Sequence, residues 1–226
     1  SFKSIESALG FYGVYHRHPI NQLIHFFGVP LIIFSLTTVF AHIKLPVALP
    51  IQLPGIEKHD MNYATVLTLI YIVFYLSLDT FGGGLYAPFA YGMYATAVKL
   101  TLDDRKKAAT LDKGANPNAK IDRANGGVSW TGTGKTLKFA AFLHFIGWYV
   151  QIHPGHAILE GAKPAILDSL GGALTSAPLF AYYEGLWALG LNQELKHKTK
   201  LLVDEYSIEL CRNGSNMRAC ADYDLN

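Results

Sequence analysis

The sequence predicts an all-α fold: a small multi-pass membrane helical bundle in which kinked or re-entrant helices surround a buried metal site. Half of the 226 residues are hydrophobic and only 16% are charged, whereas about a quarter are charged in an ordinary soluble domain. Five apolar blocks, each longer than a typical strand, lack strict alternation of apolar and polar residues. Histidines stand in or beside two of these blocks, where burial requires a partner or a metal.

The first two helices are separated by a proline. The segment "SIESALGFYGVY" predicts a helix that ends near Gly13 or Tyr15, and Pro19 suits the first turn of the next helix because it lacks an N–H. This second helix carries Asn21 and His25 on one face, four residues apart, and continues into the first apolar block. Since the chain breaks before Pro19, His16 and His25 can point to the same place.

The other four apolar blocks are each near the roughly 20 residues that cross a bilayer, but most are slightly short or contain Pro, Gly or a polar residue. We therefore expect some helices to be kinked or packed inside the bundle. In chain order the blocks cover residues 63–78, 85–100 after an "FGGG" hinge, 137–152 and 173–191.

Two polar segments complete a single predicted membrane domain over residues 1–226. Residues 103–136 are rich in Lys, Arg, Asp, Gly and Asn and predict a long exposed insertion loop, and residues 192–226 predict a polar tail. The "TGTGKT" motif in the loop lacks the earlier glycine and the preceding strand of a phosphate loop. A net charge of +2 gives no support for nucleic-acid binding.

The fourth apolar block resembles the first in its polar residues. A helix over "LKFAAFLHFIGWYVQI" places His144 and Gln151 along one face, and a Pro-Gly pair ending at Gly155 is expected to interrupt it. If a new turn begins at Gly155, His156 and Glu160 share a face because they are four residues apart.

Imidazole and carboxylate groups with open coordination positions suit non-haem Fe(II), whereas structural zinc usually takes a closed set that includes cysteine. Any one histidine still has an ordinary hydrogen-bonding role as its alternative, and we assign that role to His42, His59 and His197. Six residues near the two motifs are expected to orient the ligands or to join the metal: His18, Asn21, His144, Gln151, His153 and Glu184.

The stretches "FYGVYHRHPINQLIHFFGVP" and "IGWYVQIHPGHAILEGAKPAILDSL", followed by "APLFAYYEGLWALG", resemble the family of 2-hydroxy fatty acid dioxygenases of phytosphingosine degradation. The resemblance implies a multi-pass enzyme of the endoplasmic reticulum membrane that uses Fe(II) and O2 to shorten a 2-hydroxy fatty acid by one carbon. Matched by position, His16, His25, His156 and Glu160 are implied to be the metal ligands and catalytic residues.

In this interpretation the protein ligands leave adjacent positions on Fe(II) that the substrate can chelate through its carboxylate and 2-hydroxyl. The expected partners are the 2-hydroxy fatty acid and membrane lipids, and the oligomeric state stays open. Two alternatives remain at this stage. One is iron-dependent oxidation or rearrangement of another lipid or secondary metabolite, and the other is a non-catalytic membrane protein whose histidines bind metal.

Overall fold

The computed structural model describes residues 4–46, 61–115, 131–161, 164–167 and 170–212. Apart from one β-bridge between Lys44 and Asn62, the regular structure of these ranges is helical, so the all-α prediction is confirmed. The elements are α1 (Ile5–Gly13), α2 (Pro19–Ala41), α3 (Tyr63–Leu78), α4 (Thr80–Ala115), α5 (Lys135–Val150), a π-helix (Gln151–Glu160), a short 3-10 turn (Ala165–Leu167), α6 (Leu170–Ala188) and α7 (Gln193–Arg212).

The start of α1 and the break before α2 follow from local sequence. Ser4 and Ser7 form a reciprocal capping box, in which each side chain accepts a hydrogen bond from the other residue's backbone N–H. Helix α1 ends at Gly13 and α2 begins at Pro19, as predicted. The connection between them carries His16.

The chain turns between α3 and α4 before it reaches the "FGGG" motif, which is where the sequence predicted the hinge. Asp79 separates the helices, and its carboxylate accepts hydrogen bonds from the backbone N–H groups of Phe81 and Gly82. The glycines therefore belong to the first turns of α4. A Cβ atom at Gly83 would lie 2.5 Å from a backbone nitrogen of α3, so the glycine permits close packing of the two helices.

The predicted loop over residues 103–136 is wrong for its first part, because residues 103–115 continue α4. Alanine, leucine, lysine and arginine favour helix, and Asp104, Arg105 and Ala108 are buried along one side of this segment. The burial of a few residues at helical spacing therefore determines the structure of this segment in spite of its polar composition. Residues 116–130 lie outside the described ranges, so the loop prediction there stays a prediction.

The chain divides into two compact units, one of Ser1–Pro30 with Ile146–Asn226 and the other of Leu31–Phe145. In the second unit, α3 packs against α4, and the Thr65 hydroxyl is hydrogen-bonded to the Tyr94 hydroxyl at 2.7 Å inside the buried core. The prediction of a single domain stays a prediction.

In the first unit, α1 packs against α6 and α7. A Cβ atom at Gly13 would lie 2.6 Å from Val203 Cγ2, so α1 and α7 approach closely where α1 has no side chain. Helix α7 buries Leu195, Thr199 and Ser207 at helical spacing. The polar tail predicted over residues 192–226 therefore begins as a packed amphipathic helix, and its part beyond residue 212 lies outside the described ranges.

Among the described helices, α2 alone is both long and apolar enough to cross a membrane. Helix α3 is apolar but has only 16 residues.

Candidate metal centre

Three buried histidines converge in the first unit from three separate segments. His16 lies between α1 and α2, His25 lies on α2, and His156 lies on the π-helix. Their ring centroids are 4.1 Å apart for His16 and His25, 4.8 Å for His16 and His156, and 5.0 Å for His25 and His156. One nitrogen from each ring lies within 4.8 Å of the others, so these three could hold a metal ion together.

Backbone carbonyl groups orient two of the rings. His16 Nδ1 donates to the carbonyl oxygen of Tyr12 at 2.8 Å, and His25 Nδ1 donates to that of Asn21 at 3.0 Å. The Tyr12 ring also stacks on the His16 ring with centroids 4.1 Å apart. Because Nδ1 carries the proton in both rings, each Nε2 keeps its lone pair for a metal.

The third ring, that of His156, lies on a π-helix that continues α5. The break that the sequence predicted before it is therefore wrong. The chain passes through Pro154 and Gly155 without leaving the helix, because α5 widens into π-helical turns from Gln151 to Glu160. Proline in an α-helix removes one backbone donor and clashes with a carbonyl of the preceding turn, and the wider turn accommodates it here. Short π-helical segments are rare and frequently occur at functional sites.

The donor set fits a bound metal ion. Among the described residues, His16 Nε2 and His156 Nδ1 are buried and lack a hydrogen-bond partner, whereas buried polar atoms normally have one. Burial lowers the pKa of His16 well below its ordinary value, and the neighbouring His25 and His156 lower it further. Burial also lowers the pKa of His156 to about 4. The rings are therefore neutral at pH 7, which is the form that binds a metal.

Glu160 lies beside this cluster but outside the group of three. Its Oε1 accepts a hydrogen bond from the backbone N–H of His18 at 2.8 Å and another from Asn21 Nδ2 at 2.9 Å. The carboxylate thereby ties the end of the π-helix to the start of α2, which carries His25. This geometry gives Glu160 a positioning role, and metal ligation by Glu160 stays a prediction.

Asn21 and Gln151 are both buried, and each makes a hydrogen bond near the cluster; the roles predicted for them, to orient the ligands or to join the metal, stay predictions. Asn21 links His25 to Glu160 through its carbonyl oxygen and its side-chain amide. Gln151 Nε2 donates to the carbonyl oxygen of Gly147 at 2.8 Å.

The remaining histidines in the described ranges lie outside the group of three. His18 Nδ1 accepts from the Ile20 N–H at 3.2 Å, and the exposed ring of His153 stacks on Tyr149 with centroids 5.5 Å apart. His144 belongs to the other unit, where its Nδ1 is hydrogen-bonded to the Ser35 hydroxyl at 2.9 Å. Of the three histidines assigned ordinary roles, His42 is buried, His197 is exposed and His59 lies outside the described residues.

A cavity of about 620 Å³ opens beside His16 within the first unit. Its apolar wall includes Leu23, Phe26 and Phe180. Glu184, which the sequence predicted to orient a ligand or to join the metal, lines this cavity. Burial raises the pKa of its carboxyl group to about 8, although the positive charge of Lys196 acts to lower it. The volume lies in the range of small-molecule sites.

Sequence reasoning missed the part of the cavity that α7 supplies. Lys196, Thr199 and Lys200 line it, although they belong to the segment predicted as a polar tail. The signal that was present is the spacing of four between Leu195 and Thr199, which places both on one helix face.

The fold and the site define an all-helical protein with a candidate metal centre beside a cavity that has an apolar wall. The family model described as "2-hydroxy-palmitic acid dioxygenase Mpo1-like" matches residues 2–186, and the chain belongs to this family. The relative named 2-hydroxy-palmitic acid dioxygenase MPO1, from Saccharomyces cerevisiae, is 29% identical over 192 residues, which are 85% of either chain. No solved structure matches the chain. The family resemblance noted in the sequence is thereby confirmed.

Proposed function

We propose that this protein is a non-haem Fe(II)-dependent dioxygenase that uses O2 to cleave the C1–C2 bond of 2-hydroxy fatty acids, shortening them by one carbon. Membership of the Mpo1-like family and the name of the yeast relative support the reaction class and the substrate class. The observation that carries the proposal is the cluster of three buried histidines, two of which present buried ring nitrogens without a hydrogen-bond partner among the described residues.

His16, His25 and His156 would hold the metal. When bound, Fe(II) supplies coordination positions for O2 and for the carboxylate and 2-hydroxyl of the substrate. The chain's own part is to keep the imidazoles neutral and oriented. The carbonyl groups of Tyr12 and Asn21 fix two of the rings, and burial disfavours protonation of His16 and His156.

The overall reaction balances without a further reductant. A 2-hydroxy acid and one molecule of O2 give the shortened carboxylic acid, carbon dioxide and water, because oxidation of C2 and loss of C1 supply the electrons that reduce O2. The apolar wall of the cavity beside His16 would take the acyl chain and exclude water from it.

We further propose a multi-pass location in the endoplasmic reticulum membrane, with α2 as a crossing helix. The length and composition of α2 support insertion. On α5, Phe139, Phe142 and Phe145 follow one another at spacings of three and are 47%, 60% and 65% exposed, and exposed apolar faces of this kind suit contact with lipid. Resistance to extraction by alkaline carbonate would support insertion of the protein into a membrane, and release into the supernatant would contradict it.

The reaction is tested by adding 2-hydroxy palmitate to the Fe(II)-loaded, detergent-solubilised protein and following O2 uptake and products. We expect substrate-dependent uptake and the 15-carbon acid as product, with palmitate giving neither. His25→Ala should abolish both, whereas His144→Ala, outside the cluster, should keep them. Uptake with an unshortened oxidised product would overturn the proposed bond cleavage.

A further inference from the structure

Two polar side chains in the wall of the cavity beside His16 lack a hydrogen-bond partner within the described part of the chain. They are Trp187, through its indole Nε1, and Thr199, through its hydroxyl Oγ1. Trp187 is only 9% exposed and Thr199 only 3%. Buried polar groups are normally hydrogen-bonded, and an unsatisfied one is costly, so each of these two groups would be stabilised by a polar ligand that reached it.

The chemistry of the two groups selects the ligand atom. An indole N–H can only donate, so its partner must be an acceptor, and a hydroxyl can donate to the same group. Three cationic residues line the same cavity: Arg17, Lys196 and Lys200. This combination favours an oxygen that carries negative charge.

The acidic residues of the cavity do not cancel this preference. Asp204 also lines the cavity, where it is outnumbered by the cations. Burial raises the pKa of Glu184 to about 8, so this carboxyl group is largely uncharged at pH 7 and does not repel an acid.

Both groups belong to residues that line the same cavity as His16, and Trp187 is related to His16 through one aromatic ring. The ring of Phe180 lies 5.7 Å from that of His16 and 6.3 Å from that of Trp187, centroid to centroid. One aromatic ring therefore separates the indole from the metal centre. A carboxylate has two oxygens with about four acceptor sites, so it can face a metal and accept from the protein at once.

We propose that Trp187 and Thr199 form the carboxylate-binding subsite for the 2-hydroxy fatty acid, with the indole N–H and the hydroxyl donating to the carboxylate. This inference rests on the proposed function and adds residues that determine substrate recognition. Both residues lie beyond the 2–186 range that the family model matches. They would therefore bind substrate from a part of the chain that the family model does not cover.

The test is equilibrium binding of 2-hydroxy palmitate and of palmitate to the full-length, Fe(II)-loaded protein under anaerobic conditions, where no turnover occurs. Trp187→Phe keeps the ring and removes the donor, and Thr199→Val keeps the shape and removes the hydroxyl. Each should weaken binding of both acids by about tenfold or more, as expected for a hydrogen bond to a charged group. Thr199→Ser should restore binding, and Thr175→Val, outside the cavity lining, should leave it unchanged.

Wild-type affinity in both Trp187→Phe and Thr199→Val would overturn the inference and indicate that water satisfies these groups. Equal loss in Thr199→Val and Thr199→Ser would also overturn it, because the side chain would then serve packing. If Trp187→Phe does not fold, the two Thr199 variants decide the question. Absence of O2 uptake after admission of air would contradict the proposed function while leaving the binding differences, and so this inference, intact.

Discussion

Removal of the Glu160 carboxylate should destabilise the start of α2. Glu160→Ala deletes the acceptor of two hydrogen bonds, from the His18 N–H at 2.8 Å and from Asn21 Nδ2 at 2.9 Å. Glu160 is only 8% exposed, so water replaces these contacts poorly. At about 1.5 kcal/mol for each hydrogen bond to a charged group, the variant should lose about 3 kcal/mol of stability. In a protein of this size, that loss should lower Tm by roughly 6–12 °C.

Glu160→Gln is the matched variant, because the amide keeps one oxygen that can accept both hydrogen bonds. We expect it to lose only about 1 kcal/mol, since the bonds persist without the charge. The assay combines thermal unfolding of the metal-free protein, followed by circular dichroism, with metal analysis of the loaded protein. A folded Glu160→Gln variant without metal would refute the positioning role and make Glu160 a ligand. An unchanged Tm in Glu160→Ala would show that the two hydrogen bonds do not hold α2.

Three further predictions concern packing, pH and metal retention. Gly155→Ala should destabilise the protein, because its Cβ would lie 2.5 Å from Asn21 Oδ1, whereas Gly171→Ala, with no atom of the described residues within 4 Å, should leave Tm nearly unchanged; equal Tm values would contradict this. The folded-state pKa of His156, about 4, lies below its ordinary 6.5, so the unfolded state binds more protons in this window, and the free energy of unfolding of the metal-free protein should fall as pH drops from 6.5 towards 4. A denaturant-unfolding midpoint that is the same at pH 7 and pH 5 would contradict it. His144→Ala should keep its metal by elemental analysis, since that ring lies outside the cluster; metal loss in a folded variant would make His144 a ligand.

The helices that could be predicted from the sequence are those with a recognisable apolar face or a long apolar run. The start of α2 could be predicted because proline lacks an N–H and therefore suits the first turn of a helix. The helical continuation over residues 103–115 and helix α7 could not be predicted, because both segments are mostly polar and bury only a narrow stripe of residues. Asp104 and Thr199 belong to such stripes, and neither is recognisable as buried until its neighbours in space are known.

In the candidate metal centre, too, some features could be predicted from the sequence and others could not. The break before Pro19 correctly suggested that His16 could reach the place of His25, and His156 joins them. The role of Glu160 could not be read from its spacing to His156, because both of its hydrogen-bond donors come from α2 and the residues just before it. The π-helix was also hidden, since its hydrogen-bond register is a property of the folded backbone and not of one residue type.

The central claim is that His16, His25 and His156 hold the metal on which O2 chemistry depends. Its most direct test is elemental analysis after anaerobic Fe(II) loading, for the wild type and for each single His→Ala variant, with O2 uptake on 2-hydroxy palmitate measured on the same samples. We predict about one iron per chain in the wild type, as for a mononuclear site, and loss of both iron and uptake in all three variants. Full iron content and uptake in any folded variant of the three, or wild-type iron without substrate-dependent uptake, would contradict the claim.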